Sequence, residues 1–299
     1  MSLRTTVPDR PPTLRLRRLI SRYPLGAYFL LAFALSWLVV LPLLLSRMGL
    51  AFGSADMPAE PFQMAGALAG PTLSAFIVTA VQSGRPGVRR LLARYKQWRV
   101  GLQWYLLIFF GPLLALTLGA VPFLGVSIVG AFMRNLPLLV TSFLPILVLG
   151  IILGPLWEEP GWRGFALPRL QDRHGPIFGT LVLGVLWSLW HLPGFVGGWL
   201  GSLTASSVIA LTLGTIAGSF ILTWVYNNTG GSILMMILLH SSINAASAFG
   251  GNLLPAEMPV AIASLVYSGW IPAATYTVWA LLIILLTRGR LSYSESLAK

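Results

Sequence analysis

Apolar residues in this chain neither alternate nor recur at every third or fourth position; they arrive in long uncharged blocks separated by short polar or Gly/Pro-rich breaks. The first block runs from Tyr23 to Ser46, a second lies between Glu60 and Arg85, and a third covers Leu102–Met133. A fourth begins near Leu136, three more follow at about residues 176–196, 205–226 and 231–249, and an eighth ends at Arg288. Each is close to the ~20 residues that carry a helix across the hydrocarbon core of a bilayer. The first is too long for the core of a signal peptide, and no small-residue cleavage site follows it, so it reads as a retained helix. The pattern predicts an all-α polytopic membrane protein, with about eight transmembrane helices forming a single bundle over residues 24–290. Residues 1–23, rich in Arg and Pro, are expected to be a disordered basic arm, and 291–299 a short tail. In the third block Gly111, Pro112 and Pro122 predict breaks, giving one crossing plus a re-entrant turn.

Charge sharpens this picture. Only 9% of the 299 residues are charged while 56% are hydrophobic, whereas soluble domains carry about a quarter charged residues. There is no Cys, which excludes disulfides, thiolate catalysis and Cys-bound metals. A net charge of +12 would suit nucleic acid, but the basic residues lie in loops and termini, so the partner they imply is the anionic headgroup layer of a bilayer. The basic, apolar-spaced segment from Ser83 to Arg99 is expected on the membrane surface. With the N-terminus inside, eighteen Lys and Arg fall in the inner segments and two, Arg47 and Arg134, in the outer ones. Excess Lys and Arg mark cytoplasmic loops, so both termini are expected in the cytoplasm.

Two acids break the fourth block. Glu158 and Glu159 sit in LGPLWEEPGWRGFALPRL, where a charged side chain costs at least roughly 2.5 to 3.5 kcal/mol on insertion scales. Glu159 stands four residues before Arg163, a spacing suited to an ion pair; Glu158 lies about 100° round the helix without such a partner and is the candidate base. Pro160 is expected to kink the helix beside the acids, so that irregular backbone lines a wet cavity. Of three histidines, His174 is in a polar loop, whereas His191 and His240 fall inside apolar blocks. His240 and Asn244 share a helix face, as do Trp187 and His191, whose rings are placed to pack. Counting ~1.5 Å per residue puts Glu158, His191, His240 and Asn244 at similar depth near mid-membrane. An activated water and oxyanion donors are what amide hydrolysis requires. Two His and a Glu are also a possible zinc set, namely Glu158, His191 and His240. There is no HExxH, and no helix carries the Asp residues of an aspartyl dyad.

These residues resemble a known family. Glu158-Glu159-Pro160-Gly161-Trp162-Arg163 is similar to the EExxxR motif of the CPBP (also called ABI) intramembrane endopeptidases, which include CaaX prenyl proteases and bacteriocin-processing or immunity proteins. Trp187–His191 is similar to that family's FxxxH motif, with Trp for Phe, and His240–Asn244 to its HxxxN motif; order and spacing agree over residues 136–250. The resemblance implies that Glu158 and His191 activate a water and that His240 and Asn244 form an oxyanion site. Glu159, Arg163 and Trp187 would support them. It also implies a cavity facing the cytosol, no required cofactor, a membrane-associated or lipidated protein or peptide as substrate, and a multi-pass protein of a bacterial or archaeal plasma membrane. A proton-coupled transporter and a non-catalytic immunity or scaffold protein are the competing readings.

Overall fold

A computed structural model describes residues 12–50, 57–254 and 259–294, and every regular element among them is helical. The first, α1 (Pro12–Arg22), corrects the disordered arm over this stretch; residues 1–11 lie outside the described ones. Arginines and leucines there fall at helical spacing, and Ile20 packs on the core. Next comes α2 (Pro24–Arg47), 24 residues through Pro42. The second block forms α3 (Glu60–Ala67), a π-helical turn Leu68–Thr72 and α4 (Leu73–Ala93). Within α4 the chain turns at Gly84, whose φ of 58° and ψ of −156° suit glycine alone. A Cβ on Gly87 would come within 3.0 Å of Thr79 Cγ2, although eight residues of straight helix span about 12 Å. The basic segment after Gly84 therefore folds back as a separate short helix.

The third block gives α5 (Leu102–Gly119), α6 (Val121–Leu124) and α7 (Ser127–Arg134). Gly111 and Pro112 do not break α5, contrary to expectation: Pro112 is buried within the helix, and Gly111 lets the Trp279 indole approach to 3.1 Å from where its Cβ would stand. The break comes at Ala120–Gly125, around Pro122, the third of the expected positions, and Gly125 has φ of 74°. After a π-helical turn at Leu139–Phe143, α8 (Leu144–Leu153) runs to Gly154, where the backbone leaves helical geometry just before the acids. The expected single fourth helix is thus two pieces. A new helix, α9 (Pro155–Gly161), carries Glu158 and Glu159 and passes through a π-helical turn, Trp162–Ala166, into α10 (Leu167–His191). Pro160 does not end it, because the wider turn that follows accommodates the change of register.

Gly175, with φ of 76° and ψ of 167°, divides α10. A Cβ on Gly179 would lie 2.7 Å from the Leu170 carbonyl, so the chain reverses between them. The remaining elements are α11 (Pro193–Gly197), α12 (Ala205–Asn228), α13 (Ile233–Gly250), α14 (Val260–Tyr267) and α15 (Trp270–Leu286). Among the described residues six stretches are long and apolar enough to cross a membrane, and two bent pairs, α7 with the helix to Leu153 (76°) and α14 with α15 (62°), bring the number to as many as eight.

Contacts gather the connections at two ends. At one, Ser232 Oγ donates to the Gln97 carbonyl, and Gln171 and Asn227 exchange two amide hydrogen bonds while Asn227 Nδ2 also donates to the Leu291 carbonyl (2.8 Å). At the other, Asn252 donates to Ser142 Oγ and the Trp270 indole to Ser206 Oγ. The first is the basic end. Close backbone approach holds the middle: α12 packs against α10 and α15, and Gly184 lets α10 come within 2.8 Å of the Ile216 Cα, measured from an added Cβ.

Candidate active site

The acids are seated by α9, and α9 is seated by glycine. A Cβ on Gly161 would stand 2.5 Å from the Pro71 carbonyl oxygen and from Tyr28 Oη, so only a hydrogen at this position allows the π-helical turn of the second block to lie against the acid helix. Thr72 Oγ1 donates to the Trp157 carbonyl at the same junction. Together these contacts fix the rotation of α9, and with it the directions of the two adjacent carboxylates.

Glu159 points into the bundle and is fully buried. Its Oε1 accepts from Arg163 Nη1 at 2.8 Å, the ion pair predicted from their spacing, and also from His240 Nδ1 at 2.8 Å. Arg163 Nη2 reaches Ser219 Oγ at 3.3 Å, and its guanidinium lies 4.1 Å from the centre of the Trp187 ring. Glu158 turns to the other side, where its Oε2 accepts from Trp187 Nε1 at 3.0 Å. Its Oε1 has no hydrogen-bond partner among the described residues and passes close to Gly154. His191 Nδ1 donates to the Trp187 carbonyl (2.7 Å), which sets the tautomer and leaves Nε2 as the acceptor. In His240 the Glu159 carboxylate engages Nδ1, so Nε2 is again the free ring nitrogen.

Glu158, Trp187, His191, His240 and Asn244 all line one cavity of about 560 Å³. The structure therefore brings together the four proposed catalytic residues and Trp187, while Glu159 and Arg163 lie buried behind the cavity wall. His174, by contrast, stands apart and packs on Phe178. Among the described residues no group of three or more His, Asp or Glu is close enough to hold one metal ion.

Sequence reasoning missed two features. It paired Trp187 with His191 by ring packing, which is present as an edge contact at 5.5 Å. It did not anticipate that one indole would meet Glu158, Arg163 and the His240 ring (5.0 Å) as well. Nor did it link His240 to Glu159, which is 81 residues away. Helical spacing reports only neighbours on one helix. A Trp where the motif has Phe was the available signal, since the exchange adds one N–H donor.

The geometry can be set beside known proteins. A family profile described as "Type II CAAX prenyl endopeptidase Rce1-like" matches residues 140–246, the interval that holds all three motifs. Over this interval the chain is similar to the CaaX prenyl endopeptidases. A relative named "CAAX prenyl protease 2", from Methanococcus maripaludis, is 32% identical over 116 residues, which is 35% of this chain and 40% of the relative. The chain thus matches less than half of that relative's length. The matched segment coincides with the helices α8 to α13 that surround the cavity, and the multi-pass membrane architecture agrees with the match.

Proposed function

We propose that this protein is an intramembrane endopeptidase that hydrolyses a peptide bond of a membrane-associated protein or peptide with a water activated by Glu158 and His191. One observation carries the reading: an unpartnered carboxylate oxygen, two imidazoles with Nε2 free and the Asn244 amide all border a single cavity. The name of the archaeal relative and the family description support the same reaction class.

In this mechanism a water between Glu158 Oε1 and His191 Nε2 gives up a proton to the carboxylate as its oxygen adds to the scissile carbonyl carbon. The carbonyl oxygen takes the electron pair and is held by the Asn244 amide and a protonated His240. Each such donor is worth about 3 to 4 kcal/mol where it meets the developing charge. Collapse of the intermediate breaks the C–N bond, and the proton held by Glu158 passes to the leaving amine. Glu159, bonded to His240 and Arg163, orients the oxyanion donor.

No metal is required by this scheme. Both imidazole Nδ1 atoms are engaged by protein oxygens, which fixes the rings but would equally orient zinc ligands; a glutamate-activated water is supported instead by the positions of Glu158, His191 and His240, which among the described residues form no group able to hold one ion. The test is a Glu158→Gln variant in native membranes. One or more substrate proteins are expected to accumulate uncleaved, and a strong chelator is expected to leave the wild type active. Normal turnover by Glu158→Gln would overturn the base; reversible loss of activity on chelation would overturn the metal-free scheme.

A further inference from the structure

The cavity has a direction. On α12 its wall runs from Ser207, two residues inside the helix start, to Leu222, a depth of about 22 Å at 1.5 Å per residue. On α13 it uses residues from His240 to Ser247 and none between Ile233 and Leu239. Trp199 and Leu200, which follow α11, and Ser268 and Gly269, between α14 and α15, complete the mouth. Every connection that contributes belongs to the end opposite the basic one. The basic-end connections, at 84–101, 228–232 and 287–294, contribute no wall residue.

Charge then tells the two ends apart. Among the described residues the basic end carries Arg15, Arg17, Arg18 and Arg22 on α1, six Lys and Arg between Arg85 and Arg99, Arg169 and Arg173 beside the Gly175 reversal, and Arg288 and Arg290. The end with the mouth carries Arg47 and Arg134. A separate cavity of about 280 Å³ at the basic end is lined by Arg90, Arg94 and Arg169, in keeping with the anionic lipid surface of a cytoplasmic leaflet. An asymmetry of this size in short loops sets orientation in the membrane. It also excludes one pair of expectations: cytoplasmic termini and a cytosol-facing cavity cannot both hold in this fold.

We infer that the cavity opens to the extracytoplasmic side, and that its substrate is an extended, uncharged peptide segment presented from outside the cytoplasm, as in an exported peptide or the outer end of a membrane-anchored protein. The lining supports the chemistry of that segment: among the described residues it holds no Lys, Arg or Asp, and Glu158 is its only acid, while Phe195, Trp199, Tyr267 and Tyr276 offer apolar surface. A charged side chain drawn 22 Å into such walls would find no partner except the carboxylate that performs the reaction. This assignment of substrate rests on the endopeptidase reading; the orientation does not.

The absence of Cys makes the orientation directly measurable. Single-thiol variants Ser202→Cys beside the mouth, Ser247→Cys on the cavity wall and Gln97→Cys at the basic end are exposed to an impermeant maleimide in intact cells, then after permeabilisation. The expected result is labelling of the first two from outside and of Gln97→Cys only after permeabilisation. Labelling of Gln97→Cys from outside, or of Ser247→Cys from the cytoplasmic side alone, would overturn the inference whether or not the protein cleaves anything. A second arm reads the substrate. Protein that accumulates in the Glu158→Gln strain should be digested by protease added to intact cells, and accumulation confined to protease-inaccessible cytoplasmic proteins would refute the substrate assignment while leaving the hydrolytic mechanism standing.

Discussion

At the scale of single residues, Trp187 is where the site's parts meet. Its N–H takes one oxygen of Glu158, its carbonyl takes His191, and its ring face takes the Arg163 guanidinium. Phenylalanine keeps the ring and loses only the donor. A hydrogen bond to a charged acceptor contributes about 1.5 to 3 kcal/mol, part of which holds the carboxylate in its working rotamer. Trp187→Phe is therefore expected to retain its fold and substrate KM while kcat falls about tenfold, and steady-state kinetics beside a melting curve check this. Glu159→Gln should behave in the opposite way. Breaking a buried pair leaves the partner charge uncompensated, at a cost of about 3 to 5 kcal/mol, so yield and thermal stability in detergent fall. Glu158→Gln should melt like the wild type and lose roughly 10²- to 10⁴-fold in rate. The inequality of the two acids was legible in the sequence because Arg163 lies one helical turn beyond Glu159 on the same helix. The bonds from Trp187 and His240 were not, because nothing in spacing along one helix specifies which neighbour faces it.

Among elements, the decisive one is short. α9 has seven residues, too few to be stable alone, and its position comes from backbone-to-backbone contact at Gly161. Overpacking of this kind typically costs about 1 to 3 kcal/mol. Gly161→Val should therefore lower the melting temperature and reduce turnover together, because shifting α9 moves both carboxylates; a variant with wild-type kinetics and stability would show that the contact is dispensable. Gly and Pro announce breaks along the chain, yet not every announced break is used. Gly111–Pro112 passes unbroken through α5 because a large indole fills the space the glycine leaves. Gly154, followed directly by Pro155, ends α8, a stop signal that the reading of one continuous fourth helix passed over. Gly84 and Gly175 are different: the first turn stands at the onset of a charged stretch and the second at the end of one, so composition located them even though glycine alone could not.

At the scale of the whole molecule, the number of apolar blocks and their all-helical nature were legible because a lipid interior leaves a spanning chain no other way to satisfy its backbone. Which end the cavity opens to was not legible, since it depends on how eight tilted and bent segments diverge. That direction emerges only when Ser207, Ser247 and Gly269 are seen on the same wall. The basic end, meanwhile, is fastened by the amide pair of Gln171 and Asn227 and by the Leu291 carbonyl, which lies 64 positions beyond Asn227. This clasp imposes an order on biosynthesis. Ribosomes add roughly 5 to 20 residues per second, so for about 3 to 13 s after Asn227 is made its third hydrogen-bond partner does not yet exist. The end of the bundle that carries the charges is therefore the last to close, and it closes only when the final helix has entered the bilayer and delivered Leu291 behind it.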